Sequence, residues 1–275
     1  MTNAQNELIL EAGRGIKHYW YELWNYRELF LFLAWRDISV RYKQTVIGVA
    51  WAIIRPVLVM IIFSVIFGRL AQMPSGGVPY PILVFSALLP WQLFANALAE
   101  SSNSLISNAG IISKVYFPRL AIPASSVVVS LIDFAISFSI LIVLMVWYQY
   151  TPGLLLLLLP LFILLACCAA LGVGLWMASL NVKYRDFRYI VPFIVQFGLY
   201  ISPVGFSSNV IPDEWRFLYC LNPMVGIIDG FRWVILGNIH PYWPGFVLSI
   251  CLVVLLLASG LWYFRKTERT FADVI

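Results

Sequence analysis

Apolar runs of about twenty residues recur along this chain, and nothing constrains its folding more. Hydrocarbon offers backbone groups no hydrogen-bond partners, so a spanning segment is either a helix or part of a closed barrel. Runs of this length without period-two alternation select helices. With 61% hydrophobic and 11% charged residues, the chain reads as an all-α integral membrane protein. Spans are predicted at 49–70, 81–105, 122–148, 154–180, 189–206 and 244–264. Six crossings place both termini on one side.

Lys and Arg choose the side. Arg14, Lys17, Arg27, Arg36, Arg41, Lys43, Lys114, Arg119, Lys183, Arg185, Arg188, Arg265, Lys266 and Arg269 share the face of the termini, against Arg69, Arg216 and Arg232 opposite. The asymmetry makes the termini cytoplasmic, so the net charge of +5 reports topology rather than nucleic-acid binding. The start, MTNAQNELILEAGRG, has no apolar core region of a cleavable signal, so the first span is expected to direct insertion itself. The segment 207–243 is apolar but holds Glu214, Arg216, Asp229, Arg232 and Asn222-Pro223. Counting it as a span would throw the C-terminal basic residues outside. It is read instead as short re-entrant helices between spans five and six, with an amphipathic surface loop as the other reading.

Chemistry is sparse. His18 and His240 have no carboxylate or cysteine at ligand or triad spacing, and Cys167, Cys168, Cys220 and Cys251 form neither a disulfide framework nor a zinc pattern. No G-x-x-x-x-G-K-[ST] occurs, so the chain is not expected to split ATP in the P-loop manner. Charges within spans are Arg55, Glu100 and Asp133. Arg55 either snorkels to the interface or lines a polar conduit, because at a helix centre it would cost roughly 2.5–3.5 kcal/mol. Pro56 behind it should bend the span. Asp133 is expected to bond a Ser or Thr on a neighbouring helix.

Two cytoplasmic pieces invite partners. Residues 17–48 are read as an amphipathic interfacial helix, its apolar stripe running through Trp20, Leu23, Trp24, Leu31, Ala34, Trp35 and Ile38. Between spans two and three, SNAGIISKVYFPRLAIP offers Ser107 or Asn108 as an N-cap and Pro118 as a stop. Spacing alone favours a solvated loop there. The competing reading is a docking knob exposing Val115, Tyr116 and Phe117.

The run WRDISVRYKQTVIGVAWAIIRPVL, followed by LLPWQLFANAL, ISKVYFPRLAIP, NVKYRDFRYIV, ISPVGFSSNVIP and LNPMVGIIDGFRW, resembles the permease subunit of bacterial polysaccharide ABC exporters of the ABC-2 type. Members of that group export O-antigen, capsule and teichoic acid. The resemblance implies that Lys114, Val115, Tyr116, Phe117, Pro118 and Arg119 form a coupling helix resting in a cleft of an ATPase subunit, with Arg185 and Asp186 in a second connection nearby. It implies a gate helix holding Trp35, Arg36, Asp37, Arg41, Tyr42 and Lys43, and a transmembrane domain over 49–264, flanked by tails at 1–16 and 265–275. ATP and magnesium would be bound by the partner, leaving this chain no cofactor and no catalytic or metal site. Relatives often carry a neutral polar residue where Arg55 stands.

Six helices packed 8–10 Å apart leave no room for a hydrated sugar chain. A pore between two copies, above two ATPase subunits, follows from closed two-fold symmetry. ATPase closure would then move the paired docking helices and, through rigid spans, the pore wall. Trp51, Trp91, Phe94, Phe197 and Tyr200, together with Arg55, are candidates for that wall, since glycans slide on aromatic platforms. Two rivals remain: an exporter of small molecules, which would share the ATPase docking, and a lipid-modifying enzyme, which would need none.

Overall fold

The computed structural model describes residues 16–43, 46–184, 186–237 and 242–271, all helix and connecting turns with no strand among them. In order the helices are α1 (Ile16–Asn25), α2 (Arg27–Lys43), α3 (Val46–Phe63), α4 (Tyr80–Ser107), α5 (Ala109–Ile112), α6 (Ala121–Trp147), α7 (Leu159–Lys183), α8 (Phe187–Ile201), α9 (Asp213–Tyr219), α10 (Pro223–Leu236) and α11 (Trp243–Thr267). A π-helical stretch, Ser64–Leu70, prolongs α3, and a 3₁₀ turn, Leu154–Leu158, leads into α7.

Proline sets several helix starts. Pro81, Pro160, Pro223 and Pro244 occupy the first turns of α4, α7, α10 and α11, where a missing N–H removes only a donor that has no helical acceptor. α10 closes on Gly237, whose φ of 69° is the left-handed cap that glycine adopts without strain. Pro203 ends α8 by pushing Ser202 to ψ 152°, out of the helical region.

Five segments are long and apolar enough to cross a membrane: Ala50–Leu70, Tyr80–Ser107, Ala121–Trp147, Leu154–Lys183 and Trp243–Thr267. They coincide with five of the six expected spans. The segment expected at 189–206 forms the 15-residue α8 followed by irregular backbone. At 1.5 Å per residue α8 is about 22 Å long, short of the roughly 30 Å hydrocarbon core.

α4 is the hub, buried along most of its length and packed against α3, α6, α7, α8 and α10. α7 and α11 cross so closely that a Cβ on Gly172 would lie 2.7 Å from the Leu257 amide nitrogen, and one on Gly260 only 2.4 Å from the Gly172 carbonyl oxygen. Two glycines permit that approach, the usual device where helices associate without a hydrophobic drive. α10 does not lie on the surface. Phe231 meets Phe134 halfway along α6 and Phe162 near the start of α7, and most of the helix is buried.

A second apolar cluster closes one end of the bundle. It joins Leu33 of α2, Leu105, Ile112, Phe117, Leu120, Leu175, Phe264 and Phe271. This end, where α2, the 108–120 connection and the C-terminal turn meet, is called the foot below; the opposite end is the far end.

Candidate functional site

The expected 17–48 helix is broken at Tyr26 into α1 and α2, its residues 46–48 belong to α3, and its expected stripe divides. Of the stripe, Ala34 is buried against the bundle, together with Leu33 beside it, whereas Trp24, Leu31 and Trp35 stand exposed. The helix is therefore held by packing on α6 at one face, with aromatic side chains left open on another. Its polar residues make specific bonds. Arg36 pairs with Asp37 and donates from Nη2 to Asn108 Oδ1 at 2.6 Å, tying α2 to the residue that opens the foot connection.

At the end of α2, Arg41 reaches Glu100 on α4 at 3.1 Å and Asp133 on α6 at 2.9 Å. Tyr42 donates its hydroxyl to the other Asp133 oxygen, and Asn96 Nδ2 lies 3.4 Å from the first. Burial, and then the Asp133 carboxylate, raise the Tyr42 phenol well above its ordinary value, so it stays a donor. Asp133 thus bonds charged and phenolic groups of α2, not the Ser or Thr expected from sequence. A residue nearly a hundred positions earlier supplies the partner, and no spacing rule reveals it. A cleft of about 610 Å³ opens beside this cluster, lined by Arg36, Asp37, Arg41, Glu100 and Asn108 among others. Lys43 is exposed.

The foot differs from expectation. The short helix covers only Ala109–Ile112, and SKVYF continues as irregular backbone. Asn108 stands at the cap position, but its side chain accepts from Arg36 and donates to the Ser104 carbonyl instead of capping. Lys114, Val115 and Tyr116 are exposed; Phe117, at 4% exposure, is not, and Pro118 is buried with it. Phe117 serves as an internal anchor of the second apolar cluster, so it cannot be an exposed docking residue. Partial burial, then the Glu22 and Glu268 carboxylates, raise the Tyr116 phenol and keep it neutral. Arg119 is half-buried: its backbone amide donates to Glu268 Oε1 at 2.9 Å, its guanidinium donates to the Glu268 carbonyl, and its charge lies 6.0 Å from the Phe271 ring centroid. The C-terminal turn therefore braces the foot, a contact that sequence reading missed.

The second connection lies at the same end, since Val182 packs on the Phe117 cluster and Asn181 donates to the Ser102 carbonyl. Asp186 is exposed at the start of α8; Arg185 lies outside the described residues.

The expected wall residues separate into two sets. Trp51 and Arg55 are exposed on α3, with the Arg55 guanidinium 5.9 Å from the Trp51 ring centroid. Phe197 and Tyr200 are exposed on α8. Trp91 and Phe94, at 4% and 6% exposure, are not available to a ligand: Trp91 fills the space above Gly198, where a Cβ would meet its ring at 2.4 Å. Tyr189 and Phe193 are also exposed on α8. Tyr189, Phe193, Phe197 and Tyr200 form one helical stripe, with the Phe193 and Phe197 centroids 4.2 Å apart. The spacing of these aromatics by three and four residues was the available signal. Tyr200 lies beside Phe63 of α3 at 6.3 Å between centroids, so the α8 stripe adjoins α3 at the far end.

A profile of the family described as ABC-2 type transporter matches residues 28–236. Among curated proteins, two described as O-antigen export system permease protein RfbA from Klebsiella pneumoniae are each 28% identical over 251 residues, covering 90% of this chain and 95% of the relative. One of the same description from Myxococcus xanthus is 27% identical over 257 residues, covering 92% of this chain and 98% of the relative.

Proposed function

Because the chain belongs to the ABC-2 type transporter family, we propose that it is the membrane-spanning permease subunit of an ATP-driven exporter. Its substrate is a lipid-linked polysaccharide, O-antigen, capsule or teichoic-acid-like, moved from the cytoplasm across the bacterial inner membrane. The names of the relatives support the substrate class. The observation that carries the reading is the exposed aromatic stripe of α8, whose last ring, Tyr200, lies beside Phe63 of α3. Rings in a row give the apolar faces of sugars a sliding surface, and two copies facing one another through these helices would enclose a conduit between them.

In this reading α8 and the irregular 202–206 segment together make the sixth crossing, and α9 and α10 re-enter from the far end. Buried protein contacts make such backbone tolerable at membrane depth. The Lys and Arg asymmetry puts both termini and the foot in the cytoplasm. There Lys114, Val115, Tyr116 and the second connection at Asp186 meet two copies of a nucleotide-binding ATPase, which binds ATP and magnesium and does the hydrolysis. α2 acts as the gate helix, its Arg36 bond to Asn108 linking gate and foot.

The test is deletion of the encoding gene, followed by analysis of the membrane glycolipids. Lipid-linked glycan stranded in the cytoplasmic leaflet is the expected result. Unchanged surface glycan, with a small molecule retained instead, would replace the polysaccharide reading with that of a small-molecule exporter.

A further inference from the structure

Arg232, on α10, is a fully buried arginine, at 0% exposure. Its hydrogen-bond partners are backbone carbonyls, and the buried Asp229 carboxylate on the same helix offsets part of its charge. Nε lies 3.3 Å from the Leu83 oxygen on α4, Nη1 2.7 Å from that of Phe206, and Nη2 3.0 Å from that of Val204. The planar guanidinium suits this task because its five donors diverge in a fixed fork.

The carbonyls it holds belong mostly to the stretch where α8 has stopped. Beyond Ile201 the backbone leaves the helix, so its polar groups lack the helical partners that a buried segment needs. Other side chains complete the set. Tyr219 donates to the Ile201 carbonyl at 2.7 Å, Tyr80 to that of Gly205 at 2.6 Å, and Asn222 Nδ2 to Ser202 Oγ at 2.9 Å. Residues 201–206 are thereby stitched to α4, α9 and α10. Of these side chains only Arg232 grips carbonyls on two sides, those of the segment and that of Leu83 on α4.

We propose that Arg232 is a positioning residue for transport: by gripping the carbonyls of Leu83, Val204 and Phe206 it fixes the far end of α8, and with it the direction of the Tyr189–Tyr200 stripe. The proposal rests on the reading of that stripe as conduit wall. The exposed face of α8 ends at Tyr200 and Ile201, immediately before Ser202 turns inward to complete burial. Releasing the grip therefore swings the last turn of the stripe. It leaves the foot, at the other end of the bundle, unmoved.

The experiment uses full-length protein in cells carrying its partner subunits, with the four native cysteines replaced by alanine and Ile201→Cys as reporter. Arg232→Lys, Arg232→Met and Tyr219→Phe are compared for two quantities: surface glycan per inserted molecule, and the rate at which a membrane-impermeant maleimide labels the introduced thiol. Arg232→Met is expected to lower export per molecule roughly tenfold or more, the scale set by leaving buried acceptors unmet. Arg232→Lys should fall between it and the parent, because an ammonium cannot serve three divergent carbonyls. Tyr219→Phe should lower export about twofold, the loss of a single neutral bond, and labelling should change in the same order. If Arg232→Met fails to insert, Arg232→Lys and Tyr219→Phe decide. Export loss that merely tracks protein amount, or an unchanged labelling rate in these two, overturns the proposal. Should the parent protein export no glycan, the polysaccharide reading fails, while the labelling series still tests the grip.

Discussion

Arg41 on α2 places Nη2 2.9 Å from Oδ2 of Asp133 on α6, and through Nη1 it also holds Glu100 on α4. One guanidinium therefore fastens the end of α2 to two helices of the bundle. The pair stands where the Asp133 carboxylate is largely buried and Arg41 is partly open to solvent, a setting in which charge-assisted bonds hold better than at a free surface.

Arg41→Ala and Asp133→Ala should not add. A double-mutant cycle, read from thermal unfolding of the purified protein, is expected to give a coupling of about 0.5–3 kcal/mol. Tyr42→Phe removes one hydroxyl bond to the same carboxylate and should cost about 1 kcal/mol. Additive losses would mean that the contact does not hold α2 in place.

Phe117 and Tyr116 are neighbours with opposite consequences. Phe117→Ala empties a buried site in the foot cluster and should lower stability by about 3–5 kcal/mol, seen as a drop in melting temperature. Tyr116→Ala, at an exposed position, should stay within about 0.5 kcal/mol of the parent yet weaken co-purification of the ATPase. Phe117→Asp, the obvious change at an exposed docking residue, should instead fail in folding, because it would bury an unpaired carboxylate.

The C-terminal brace is tested by Phe271→Ala. Its ring is buried against Phe264 at 5.4 Å between centroids, so loss should cost about 3–5 kcal/mol. Glu268→Ala removes the side-chain acceptor for the Arg119 amide and should cost about 1–3 kcal/mol. In both, ATP hydrolysis by the assembled transporter should become less responsive to substrate; unaltered stimulation would reduce the brace to packing alone.

Exposed and buried aromatics of this face have different roles to test. Phe193→Ala and Phe197→Ala, both exposed, should leave the melting temperature within a few degrees while lowering surface glycan per molecule. Trp91→Ala should destabilise by about 3–5 kcal/mol, because its ring fills the gap above Gly198. Equal stability losses at Phe193 and Trp91 would contradict the division.

Hydropathy was enough to reveal an all-helical membrane protein and the five helices long and apolar enough to cross a membrane, because apolar runs can satisfy their backbone in hydrocarbon only by coiling on themselves. The motif order from Trp35 to Trp233 identified the family for the same local reason: each motif is a contiguous string. Three-dimensional packing decided what no string contains. It buried Phe117, Trp91 and Phe94 while leaving Tyr116, Phe193 and Phe197 open, since neighbouring residues on a helix or turn differ only in which way they point. It also paired Asp133 with Arg41, Arg119 with Glu268 and Arg232 with the carbonyls of Val204 and Phe206. Those partners are far apart along the chain, and only closure of the bundle, which makes an unmet buried polar group costly, brings them together.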